Sequence, residues 1–119
     1  MLASFANRQV DPPNYSGYNL ARMRYEIILS PEAANDLKLL DAHLRAEIRD
    51  ALERHLRHEP TKVSKSRIKR LRGVSRPQYR LRVSEIRVFY DVSKDAVEVL
   101  AIIAKSQSEA WLREAGESI

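Results

Sequence analysis

Apolar residues recur along this chain at two spacings, and the change from one to the other divides it. From Leu37 onward, leucine or isoleucine returns at 40, 44, 48, 52 and 56, every three or four residues, with charged residues between. That spacing is the stripe of an amphipathic helix. Ahead of it, Ser30-Pro31-Glu32 has the chemistry of a helix start: a capping hydroxyl, a proline at the first helical position, and an acid beside the positive end of the dipole. Leu40-Asp41-Ala42 predicts a break into two helices, and Pro60 an end to the second. RYEIIL, residues 24–29, predicts a strand leading directly into the first helix.

From Tyr79 the spacing becomes two. In QYRLRVSEIRVFYDV, Tyr79, Leu81 and Val83 alternate with Arg80 and Arg82, and Ile86, Val88 and Tyr90 alternate with Arg87 and Phe89. A two-residue turn at Ser84-Glu85 would set Val83 against Ile86, Arg82 against Arg87, Leu81 against Val88 and Arg80 against Phe89. The apolar set then shares one face of a hairpin and the arginines the other. AVEVLAIIA, residues 96–104, is almost continuously apolar and predicts a strand buried on both faces at the centre of the sheet. SEAWLREAG predicts a short last helix, capped by Ser106 or Ser108 and ended by Gly116.

The order predicts an α+β domain over residues 24–116: a small antiparallel-dominated sheet, two N-terminal helices packed on one face and a short C-terminal helix. Residues 1–23, with Asp-Pro-Pro and Asn-Tyr-Ser-Gly and neither period, read as a flexible N-terminal extension. At 119 residues one core suffices. Without cysteine there is no disulfide, thiolate nucleophile or zinc-thiolate site. His43, His55 and His58 fall in one predicted helix without a metal-ligand pattern, so no metal or cofactor is expected. No apolar run is long enough for a membrane span and no signal peptide is recognisable, which predicts a cytoplasmic protein.

Charge adds a direction. Between Lys62 and Arg87 stand ten Lys or Arg against one acid, Glu85, a local charge of +9 in a chain of net +5. The rest of the chain is therefore slightly acidic. A basic block of this kind attracts polyanions at long range and gains from the counterions that phosphates release. Its first part, residues 64–72, is compatible with either an extended arm or a short basic helix. Like charges opposed across a hairpin cost a few tenths to about 1 kcal/mol, a sign that an anionic ligand reverses.

The strand followed by SPEAANDLKLL, the Leu71-Arg72-Gly73 triplet, the YRLRVSEIRVFYDV hairpin and the VEVLAII strand before an EAWL helix together resemble the RelE/ParE superfamily of bacterial type II toxins. The resemblance implies a toxin held inactive by a cognate antitoxin. In the RelE branch it implies entry into the ribosomal A site and metal-independent cleavage of mRNA; in the ParE branch, inhibition of DNA gyrase without nuclease activity. The RelE branch is the expectation carried forward. Its basic positions match Arg80 and Arg82 before the turn, Arg87 after it and Arg72 in the loop, with Lys69 and Arg70 beside them. An arginine and a tyrosine of that branch are replaced here by Lys105 and Trp111. The implied catalytic set is Arg82, Arg87 and Lys105, the arginines stabilising the phosphorane and Lys105 moving a proton. The implied RNA contacts are Lys69, Arg70, Arg72, Arg80 and Trp111, the last as a lid over the core or a platform for a base.

Overall fold

The computed structural model describes residues 24–118; the expected N-terminal extension lies outside the described residues. The chain runs β1 (Glu26–Leu29), α1 (Pro31–Leu39), α2 (Ala42–Leu56), β2 (Ile68–Arg70), β3 (Val74–Arg76), β4 (Tyr79–Val83), β5 (Ile86–Val92), β6 (Ala96–Ala104), α3 (Lys105–Ala115) and β7 (Glu117–Ser118). Five strands form one sheet in the order β1-β6-β5-β4-β2, with β1 parallel to β6 and the other pairs antiparallel. β3 and β7 make a separate two-stranded ribbon. This is the α+β architecture the sequence predicts.

The helix boundaries follow from local chemistry. Ser30 caps α1, its Oγ accepting from Ala33 N at 3.0 Å, with Pro31 in the first turn. Asp41 caps α2 by accepting from Leu44 N at 2.9 Å, so the break falls where expected. α2 stops at Leu56, ahead of Pro60, which is buried and takes a 2.6 Å hydrogen bond from the Tyr90 hydroxyl on its carbonyl. The stripe Leu37, Ile48, Leu52 and Leu56 packs on Ile68, Leu81, Val83, Ile86, Val88, Tyr90, Val97, Val99 and Ile102, the core between the helices and one sheet face. Burial holds the Tyr90 phenol well above its ordinary range.

Three features differ from the sequence reading. The central, most buried strand is β5, not β6, which lies second from the β1 edge and alternates between buried and half-buried positions. β5 gains its second cover from α3, whose Trp111 stacks on Phe89 with centroids 4.9 Å apart and planes 20° from parallel. Second, α3 begins at Lys105 directly from β6 with no capping side chain, and Ser108 Oγ donates back to Lys105 O instead. Third, of the two alternatives for the basic segment the extended one holds over residues 68–70, which pair with β4 as a short edge strand, β2.

Candidate functional site

The hairpin has the predicted register in full: Arg80 opposite Phe89, Leu81 opposite Val88, Arg82 opposite Arg87, Val83 opposite Ile86. It closes through Ser84 at φ +54, the left-handed region that two-residue hairpin turns use. Two other elements, α2 and α3, and the hairpin's own Arg87 hold that turn. Ser84 Oγ donates to Glu47 of α2 at 2.8 Å, Lys105 N donates to Glu85 O at 2.8 Å, and Arg87 Nη1 donates to Ser84 O and Ile86 O at 2.9 and 3.0 Å.

Alternation places Arg80, Arg82 and Arg87 on the face away from α1 and α2. Lys69 joins them, since it pairs with Arg80 across β2 and β4. Arg67 stands at the edge beside them, donating from Nη1 to Arg82 O at 3.4 Å. Two carboxylates of the sheet, Asp91 and Glu98, and Glu117 of the ribbon instead surround Arg76, at 3.0, 3.3 and 4.0 Å. The four cations of the face pair with no carboxylate among the described residues. Arg80 Nε is the one buried side-chain nitrogen or oxygen there without a hydrogen-bond partner. Desolvation, followed by the charges of Arg87 and Arg82, pulls the Arg80 pKa below its ordinary value. A buried donor with no acceptor among like charges is the arrangement an oxyanion would complete.

The other expected residues separate. Arg70 pairs with Tyr79, so it lies on the opposite face from Lys69, its guanidinium 5.1 Å from the Tyr79 ring centroid and donating to Gln78 O at 2.9 Å. Arg72 is exposed in the turn after β2, at the end of the β2–β4 pair remote from Arg82. Lys105 is exposed at the start of α3 and is brought to the hairpin turn by its own backbone hydrogen bond. Trp111 has one ring face on Phe89, the role of a lid on the sheet. Arg67, absent from the expected contacts, is the residue that sequence reasoning missed; its place in the basic block was visible, its hydrogen bond to β4 was not.

A second surface lies across the helices. Two clefts of about 440 and 410 Å³ share Leu29, Leu37 and Arg49 and run between β1, α1 and α2, floored by Ile27, Leu29, Leu37 and Leu52 and rimmed by Lys38, Arg45, Arg49 and Arg57. β1 beside them is an edge strand with Ile28 exposed.

A mixed five-stranded sheet with two helices on one face, one on the other and a guanidinium cluster on the hairpin defines a small RelE-like toxin fold. Solved structures share it. The toxin–antitoxin complex RelB-RelE of Methanococcus jannaschii matches with 20% identity and a TM-score of 0.56 over 71% of this chain and 96% of that one. RelBE2 of Mycobacterium tuberculosis matches at 21% and 0.55 over 69% and 99%. The RelE-RelB complex of Pyrococcus horikoshii OT3 matches at 24% and 0.53 over 71% and 99%. At these identities the likeness is one of fold. No curated protein sequence matches the chain. The family described as ParE toxin of type II toxin-antitoxin system, parDE, matches residues 27–109, and the chain belongs to it.

Proposed function

We propose that this toxin acts on RNA through its arginine face, cutting mRNA on the ribosome, and that a cognate antitoxin neutralises it. The observation that carries the reading is the unpartnered, buried Arg80 Nε between Arg82 and Arg87. Cleavage by the RNA's own 2′-hydroxyl needs three things: a proton leaves that hydroxyl as its oxygen attacks phosphorus, charge on the phosphorane oxygens is stabilised, and the departing 5′-oxygen is protonated. Arg82, exposed, and Arg80 supply the charge. Arg87 spends Nη1 on the turn carbonyls, which fixes its guanidinium in the same row. Lys105, at the same end of the sheet, is the residue assigned to proton transfer. Ribosomal positioning of the message would supply the alignment that the toxin's own groups do not, an effect that can reach several kcal/mol.

The antitoxin's chemistry follows from the two surfaces. An acidic segment suits the arginine face, and an amphipathic one suits the apolar cleft beside β1, where an added strand would also satisfy the free edge.

The test is induction of the chain in a bacterium lacking the antitoxin, with transcript 5′ ends mapped. New ends confined to translated frames and abolished by Arg82→Ala are expected. The second reading, DNA gyrase inhibition, is favoured by the ParE family match. DNA breakage with an SOS response and intact transcripts would establish it and displace the first.

A further inference from the structure

Beyond the arginine face lies a cleft of about 290 Å³ between the last turn of α2 and the 59–67 loop, lined by Arg54, His55, Lys62, Ser64 and Arg67, with Glu59 the acid among them. We propose that this cleft is a second phosphate site, which takes a backbone phosphate of the same RNA strand that lies on the arginine face. It rests on the RNA reading above and adds a path to it.

Arg67 joins the two sites. Its Nη1 donates to Arg82 O, so one side chain spans from the edge of the hairpin to the wall of the cleft. Ser64 Oγ accepts from Arg67 N at 3.0 Å and Ile68 N at 3.2 Å, which leaves its proton to donate to a phosphate oxygen. Two cations of the cleft are already compensated: Arg54 meets Asp50 at 2.9 Å, and Lys62 stands 3.8 Å from Glu59. Both pairs are well exposed and therefore weak, so a phosphate can compete for the cations. The negative end of the α2 dipole opposes an anion with about half a charge. The three cations Arg54, Lys62 and Arg67 outweigh Asp50, Glu59 and that half charge by about half a charge, so the cleft stays slightly positive. His55 lies in this field, its pKa lowered first by burial and then by Arg67 and Arg54, with Asp50 opposing.

The experiment titrates the whole toxin at low ionic strength with a short 2′-O-methyl RNA, which cannot be cut, and separately with inorganic phosphate. The His55 ring resonances are followed against pH, with sodium chloride of equal ionic strength as control. His43, twelve residues earlier on α2, is the internal reference. Both ligands should raise the His55 pKa and leave His43 unmoved. Glu59→Gln should bind the RNA about threefold tighter and Lys62→Ala about threefold weaker, the scale of exposed charge pairs. Arg82→Ala should weaken RNA binding while keeping the His55 response to inorganic phosphate. If RNA binds in an Arg82-dependent manner and His55 stays silent, the cleft is no phosphate site and the RNA reading stands. If phosphate moves His55 but the RNA does not bind, the RNA reading and the shared path fall together.

Discussion

Arg82 and Arg87 face each other across β4 and β5, yet their substitutions should move stability in opposite directions. Arg82 is exposed and its cross-strand neighbour is a like charge, so Arg82→Thr removes repulsion and places a β-branched residue on a strand. We expect a gain of a few tenths to about 1 kcal/mol in urea unfolding followed by Trp111 fluorescence, together with weaker RNA binding. Arg87 is 7% exposed and donates to two turn carbonyls. Arg87→Ala leaves those carbonyls short of a donor and should cost about 1–3 kcal/mol in the same assay. That pair of signs is what the proposed RNA contact expects of Arg82: a cation that costs stability and contributes to binding. His55 adds a pH dependence of definite sign. Its folded-state pKa is depressed below the unfolded 6.5, so below that value the unfolded chain binds more protons than the folded one. Its contribution is complete above pH 6.5 and is lost as pH falls toward the depressed value. Melting temperatures of the protein and of His55→Gln should converge at pH 7.5 and below pH 6.5 separate in favour of the variant, once the offset at neutral pH is subtracted.

The hairpin turn is the element on which the site depends, because a slip of one residue would carry the arginines to the core face. Ser84 at φ +54 tolerates that conformation as a small polar residue with its hydroxyl on Glu47. Ser84→Val forces a β-branched residue into the left-handed region and removes the hydrogen bond, and should destabilise by about 2 kcal/mol. RNA affinity should fall with it, whereas Lys94→Val in the exposed β5–β6 turn should leave affinity unchanged; parallel unfolding and binding measurements on the two variants make the comparison. This hairpin was legible in the sequence because alternation and a two-residue turn leave only one register that buries Leu81 and Val88 together. The helix starts were legible for a similar reason, since Ser30-Pro31 and Asp41 act within four residues of themselves. What could not be read was set by distant chains. β6 has the longer apolar run, but β5 is central because β4 and β6 flank it and α3 folds back to cover Phe89. Arg70 could not be separated from Lys69 until β2 was known to be a strand, since Ile68 is the only apolar residue of its three. Asp36 was invisible as a structural residue: its carboxylate accepts from Ile102 N at 3.0 Å on β6, beyond the last residue paired with β1.

For the molecule as a whole, the decisive property is how charge is divided: +9 between Lys62 and Arg87, and a slightly acidic remainder. Lys69, Arg80, Arg82 and Arg87 on the sheet face, with Arg67 at its edge, are the cations that a single strand would meet there. Each phosphate contact releases counterions and contributes about 0.7 to the slope of log affinity against log salt for a single strand, so five contacts predict a slope near −3.5. Raising salt fourfold should then weaken RNA binding on the order of a hundredfold, and Arg82→Thr should reduce the slope by about 0.7. Fluorescence anisotropy of a labelled 2′-O-methyl RNA across a salt series measures both. An antitoxin that also fills the cleft beside β1 would bury Ile27, Leu29, Leu37 and Leu52, and apolar burial is not weakened by salt. Its affinity should therefore decline less steeply than that of RNA, so that an antitoxin weaker than RNA at low salt would displace it at high salt. A salt slope near zero for RNA would mean that the arginine face is not the contact, and with it the RNA reading would lose the observation that carries it.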